Sequence, residues 1–165
     1  MLATVKATGP SVASLEMPKS LGPRPDIPAS EVVRRRTLVF SETADGNQFF
    51  INGEQYNPDR IDIHATLGDT EEWLIKNVSG EEHPFHIHIN DFQVISVNGR
   101  PYDARSLQDT QVLPVHGEVV IRQRFTGFTG TWVYHCHILA HEDAGMMGLI
   151  EVSAPGDAPS GGVAP

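Results

Sequence analysis

Between residues 36 and 152 the chain runs in short stretches where apolar or β-branched residues alternate with polar ones. They are residues 37–41, 48–51, 61–65, 72–77, 85–89, 92–97, 110–113, 118–125, 131–136 and 148–152. A period of two is the mark of a strand with one buried face, because successive side chains point to opposite sides of the pleat. Turn formers separate the stretches, among them Asp45-Gly46, Asn52-Gly53, Asn98-Gly99 and the glycines at 127 and 130. Asx-Gly pairs supply the positive φ that tight hairpins require. Periodicity near 3.6 is almost absent, and only residues 138–143 read as a helical turn. Many short strands with regular turns predict an all-β sandwich or barrel.

The two ends follow other rules. Residues 2–5 form a short apolar stretch, and residues 9–30 hold five prolines among Ser, Gly and Ala. Proline fixes φ and removes a donor, so this segment reads as an extended arm or linker. The chain therefore divides into a remnant strand with a Pro-rich arm at 1–35, a β domain at 36–153 and a tail at 154–165. The tail is so poor in large apolar residues that disorder is expected there.

A length of 165 residues is enough for one domain with a real core. The formal charge of -9, with Arg34-Arg35-Arg36 as the one basic run, argues against nucleic acid or an anionic membrane as partner. No apolar run approaches the roughly 20 residues that span a bilayer. The first six residues lack the basic-then-apolar order of a secretory leader, so an exported, periplasmic or secreted parent would carry its leader elsewhere. Cys136 is the only cysteine, which excludes an internal disulfide and marks the residue as a chemical one.

Around that thiol the sequence reads His135-Cys136-His137, then His141 and Met146, with four residues between Cys136 and His141 and four more before Met146. A loop of that length can return His141 and Met146 to the ion that Cys136 holds. Upstream, His83-Pro84-Phe85-His86-Ile87-His88 places three imidazoles within six residues. Strand alternation puts His135 and His137 on one face and Cys136 on the other, while His86 and His88 share a face. His83 is expected to fall outside the alternation, because Pro84 constrains the residue before it, and so to be free to turn toward the thiol. Two metal environments follow, one reached by Cys136 and one by four histidines. Two imidazoles, a thiolate and a thioether suit copper, in the blue-copper pattern of two His, one Cys and a weak axial Met. Zinc competes on histidine count alone, and Met147 competes with Met146 for the axial place. His64 and His116 are expected at the surface.

The two histidine motifs, taken with Ile138-Leu139-Ala140-His141-Glu142-Asp143-Ala144-Gly145-Met146-Met147, resemble the C-terminal cupredoxin domain of a three-domain multicopper oxidase of the bacterial laccase group. The resemblance covers roughly residues 36–152. It implies a cupredoxin-like Greek-key sandwich or barrel, and a type 1 copper held by His83, Cys136, His141 and Met146. It also implies His86 as a type 2 copper ligand, His88, His135 and His137 as type 3 ligands, and Glu142 as an acid passing protons toward the oxygen-reducing cluster. The implied activity is one-electron oxidation of a small aromatic reductant, a phenol or aromatic amine, coupled to reduction of dioxygen to water. That cluster takes eight histidines in the family, and only four of them have counterparts here. The rest would come from missing N-terminal cupredoxin domains or from a second copy of this chain, and a lone copy is not expected to reduce dioxygen. A stand-alone blue-copper electron carrier or copper-binding protein is the alternative.

Overall fold

The computed structural model describes residues 3–6, 8–19, 22–23 and 26–157. Leu2 of the expected remnant strand and residues 158–165 of the expected disordered tail lie outside them. Among the described residues eleven strands make two sheets. One has the order β2 (Phe49–Ile51), β1 (Val32–Glu42), β4 (Thr70–Asn77), β9 (Glu118–Arg124), β6 (Phe92–Val97) and β7 (Arg100–Pro101). The other runs β3 (Ile63–Thr66), β11 (Met147–Ser153), β10 (Gly130–Cys136), β5 (His83–Ile87) and β8 (Thr110–Leu113). Among the described residues no helix is long and apolar enough to cross a membrane. The one α-helix among the described residues is α1 (Leu139–Asp143), inside the stretch expected to turn.

The alternating runs become strands whose inward residues meet between the sheets. Leu38, Phe40, Trp73, Ile75, Val94 and Ile121 from the larger sheet pack against Phe85, Ile87, Tyr134, Cys136, Ile150 and Val152 from the smaller one, all of them nearly inaccessible to water. Burial of such apolar area, at about 25 cal/mol per Å², is the main drive for the fold. Asn98 and Gly99 both take positive φ, 49° and 71°, and close the β6–β7 hairpin as the sequence anticipates. The two-residue β7 is too short to show any alternation.

The first strand starts earlier than the apolar pattern marks. Residues 32–35, assigned to the arm on composition, pair in parallel with β4. Charge rather than burial extends the strand: Arg34 and Arg36 reach Glu71, and Arg35 reaches Glu72. Glu71 is wholly buried. Its carboxylate accepts from Arg36 Nε at 2.5 Å and Nη2 at 2.9 Å and from the Trp73 indole N–H at 2.8 Å. Arg36 Nη2 also donates to the His64 carbonyl on β3, in the opposite sheet. One guanidinium thus ties both layers together at this edge.

Removing one partner of a buried pair leaves the other charge uncompensated, which typically costs about 3–5 kcal/mol. Glu71→Ala should therefore lower the stability of the metal-free protein by about that much. Urea unfolding followed by Trp fluorescence measures it, and a loss under about 1 kcal/mol would mean that the Arg36–Glu71 pair is not a tie between the sheets.

Candidate metal centre

β10 lies between β11 and β5, with Cys136 opposite Phe85, His135 opposite His86, and Tyr134 opposite Ile87. Residues directly opposite in an antiparallel pair share a face. Cys136 therefore points into the core with Phe85 and Tyr134, while His135 and His86 emerge together on the outer face. His83 corrects the expectation drawn from Pro84: it is the first residue of β5 and keeps the alternation, buried on the same side as Phe85 and Ile87. The extended conformation that proline favours is a strand conformation, so Pro84 continues β5 rather than breaking it. The Pro84 carbonyl accepts the His137 N–H at 2.7 Å, and the reciprocal bond is the one that proline cannot make. The ladder ends there, and the chain turns through residues 137–138 into α1.

That turn brings His141 back over the thiol. His83 Nδ1 and His141 Nδ1 lie 3.2 Å apart, and each is 3.7 Å from Cys136 Sγ. The point equidistant from the corners of a triangle with those sides lies about 2 Å from each, close to the length of a metal–imidazole bond. Three buried donors aimed at one such point fit a metal ion. All three are almost inaccessible to water. Phe49 of β2 stacks on the His141 ring, with centroids 4.1 Å apart and planes at 17°. On the far side of the rings, Ser79 Oγ is 2.7 Å from His83 Nε2, and Glu81 Oε2 is 3.6 Å from His141 Nε2.

Met146 is fully buried, and its backbone is fastened at both ends: its N–H donates to the His141 carbonyl at 2.9 Å, and its carbonyl accepts the Cys136 N–H at 3.0 Å. Met147 is opposite His135 in the β10–β11 register and so belongs to the outer face, away from the thiol.

Burial sets the protonation states of this pocket. It is the main reason that His83 is depressed to about 4, with His141 adding to the effect, so its imidazole stays neutral with a lone pair free for a metal. Burial also pushes the Cys136 thiol up to about 11. The thiolate form thus needs a positive charge beside it, which a bound cation supplies.

The outer face carries the second group. His86, His88 and His135 offer ring nitrogens within 4.8 Å of one another, and the His137 ring centroid lies 5.2 Å from that of His86 and 5.6 Å from that of His135. Their outer ring atoms are anchored by acceptors. His86 Nδ1 donates to the Asp109 carbonyl at 2.9 Å, beside Thr110 Oγ1 at 3.0 Å. His135 Nδ1 faces the Cys136 carbonyl at 3.0 Å and Glu142 Oε2 at 3.2 Å. With the proton held on Nδ1, Nε2 of His135 is left bare, 3.4 Å from His88 Nε2. Burial and the neighbouring His86 and His135 lower the His88 pKa, which favours the neutral ligand form.

Every chemistry-bearing residue singled out from the sequence sits in or beside one of these two groups, and the two set aside do not. His64 is half-exposed, with Nδ1 2.9 Å from Glu151, and His116 is exposed in the turn before β9. Sequence reasoning missed Phe49, Ser79, Glu81, Asp109 and Thr110, which surround the rings. They lie in other segments and carry no motif of their own.

Known proteins resemble this chain in sequence and in fold. A family model described as multicopper oxidase matches residues 29–156. The multicopper oxidase mco of Staphylococcus haemolyticus is 45% identical over 109 residues, which are 62% of this chain and 24% of that protein. The laccase of Bacillus stratosphericus is 32% identical over 154 residues, 79% of this chain and 30% of that one. In three dimensions, the laccase of Pediococcus acidilactici superposes with a TM-score of 0.76 at 33% identity, covering 86% of this chain and 31% of that structure. The chain thus spans about a quarter to a third of the length of the relatives it matches. The two-sheet barrel is a cupredoxin fold, and with the family pattern running from the first turn before β1 to just past β11, the chain belongs to the multicopper oxidase family.

Proposed function

We propose that the chain is the electron-accepting domain of a laccase-like oxidase, the C-terminal one of three. His83, Cys136, His141 and Met146 would hold a type 1 copper, with Met146 rather than Met147 supplying the thioether. His86 serves a type 2 copper, and His88, His135 and His137 serve a type 3 pair. Copper in such sites supplies a one-electron couple at the buried centre and a place for dioxygen reduction at the outer one. The observation that carries the reading is the run His135-Cys136-His137, whose thiol belongs to the buried triangle while its imidazoles belong to the outer group.

This chain's own residues do the rest. The single peptide links on either side of Cys136 make a covalent path between the two donor groups that runs only through adjacent residues. Core packing by Phe49, Phe40 and Phe85 keeps water from the buried donors. Glu142, its Oε2 3.2 Å from His135 Nδ1 and its flank on a cleft with Tyr56 and Asp143, can hold a proton at the edge of the outer group. His88 and His137 are exposed, so the outer group is half a site that a partner must cover. The partner is the family's other cupredoxin domains, or a second copy of this chain, which would bring the histidines to eight. The reductant is a phenol or aromatic amine.

The test is the copper-to-protein ratio with electron paramagnetic resonance and light scattering. One tightly held copper with a type 1 signal on a monomer that consumes no oxygen is expected of the chain alone. An oligomer with additional coppers and oxygen uptake would favour the second copy as partner, and no copper at Cys136 would sink the proposal.

Cys136→Ser should abolish the blue thiolate-to-copper absorption while the metal-free protein stays folded, since one sulfur-to-oxygen change in the core costs only about 1–3 kcal/mol. Retained colour would refute Cys136 as the ligand. The pH dependence follows from the same pocket. Between about pH 7 and 9 the thiol, at about 11, is protonated without metal, and His83, at about 4, is already neutral. Uptake therefore expels the thiol proton, and affinity should weaken by about tenfold per unit of falling pH. Competition titrations measure this, and a flat profile would exclude thiolate ligation.

A further inference from the structure

The loop between β4 and β5 contains a buried polar chain whose hydrogen positions can be deduced atom by atom. It begins at Asn77, the last residue of β4, which is buried with Ser79. The Asn77 side-chain amide has Nδ2 at 2.7 Å from the Glu81 carbonyl, 3.1 Å from the Pro114 carbonyl and 3.4 Å from the Leu113 carbonyl. Its Oδ1 lies 3.0 Å from the Ser79 backbone N–H. Carbonyls only accept and a backbone N–H only donates, so the amide orientation admits no flip.

The next link is Ser79. Its Oγ lies 2.5 Å from Asn77 Oδ1, and two oxygens come that close only with a hydrogen between them. Oδ1 has none to give, so the Ser79 hydroxyl donates to Asn77. The alternative acceptor, the Glu81 carbonyl at 3.4 Å, would also take the hydroxyl proton away from the histidine. In either case Ser79 Oγ can only accept along its 2.7 Å contact with His83 Nε2. His83 therefore carries its proton on Nε2 and presents a bare Nδ1, the atom that faces Cys136 Sγ and His141 Nδ1.

We propose that Asn77 and Ser79 are positioning residues that lock His83 in the Nε2–H tautomer and so prepare its Nδ1 to bind copper before any copper arrives. The copper part rests on the type 1 reading above, whereas the tautomer is a property of the metal-free chain. The same amide reaches across to residues 113 and 114 at the β8–β9 connection, where the Asn77 backbone N–H also donates to the Gly117 carbonyl at 2.8 Å. The loop that carries the hydroxyl is thus anchored to a second segment rather than left to its own conformation. Without the lock, a neutral imidazole divides between two tautomers, and the one with Nδ1–H must shed or shift that proton before binding a metal.

Long-range nitrogen–proton NMR on protein with labelled histidine, free of metal, reads the tautomer directly. Wild-type His83 should show a protonated Nε2 and an unprotonated Nδ1, and a protonated Nδ1 would overturn the proposal without any variant being made. Ser79→Ala should give a mixture of tautomers and weaken copper at Cys136 by about 10–100-fold, the usual cost of losing a partner to a ligand's outer ring nitrogen. Ser79→Thr, which keeps the hydroxyl, should restore both. Ser79→Ala with an unchanged tautomer and unchanged affinity would refute the role of the hydroxyl. Wild-type protein with the Nε2–H tautomer but no blue colour on copper addition would sink the type 1 assignment and the copper half of the proposal, leaving the lock itself standing.

Discussion

The arrangement of this domain depends on one constraint, the two-residue alternation of side chains along β10. A strand must send neighbouring side chains to opposite faces, so His135-Cys136-His137 cannot deliver all three donors to one place. Because β10 is an interior strand, one of those faces is the core and the other is the outer surface of the smaller sheet. The thiol is consequently inside the core and the two imidazoles are outside it, His135 covered and His137 exposed, and the two environments remain only one residue apart in the chain. β5 repeats the same division, with His83 inward and His86 outward, in register with its neighbour.

The two environments differ physically as a result. The inner donors lie where water is excluded, which keeps His83 neutral and the Cys136 thiol protonated until a cation takes the place of the proton. Phe40 and Phe49 pack against the rings of His83 and His141 there. In the outer group His86 is anchored from behind by Asp109 and Thr110 and His135 by Glu142, while His88 and His137 are exposed.

Polar groups inside the sandwich are arranged at separate places with separate tasks. Glu71, Arg36 and Trp73 join the two layers across one edge and have no role near the donors. Asn77 and Ser79 lie at the other end of β4, where their side-chain hydrogen bonds hold the β4–β5 loop, tie it to the β8–β9 connection and reach the ring of His83. In both places buried polar atoms are retained with partners, as the cost of an unpaired one in low dielectric demands.

The sequence by itself determined most of the strand content, the one helical turn and which residues are candidates for holding a metal. Those features are local: alternation, Asx-Gly turns and a motif of consecutive ligands are all written within a few residues. It misjudged where it relied on a rule for isolated segments. Pro84 reads as a break, yet the β10 ladder has no need of its missing donor, and the Arg-rich start of β1 reads as an arm until Glu71 and Glu72 lie beside it. Only the tertiary structure decided that Met147 is turned away from the thiol, that Phe49 covers His141, and that Ser79 and Glu81 face the backs of the inner rings. Those partners come from strands and loops far apart in the chain, and their relation is set by sheet order and register, which no single stretch of residues encodes.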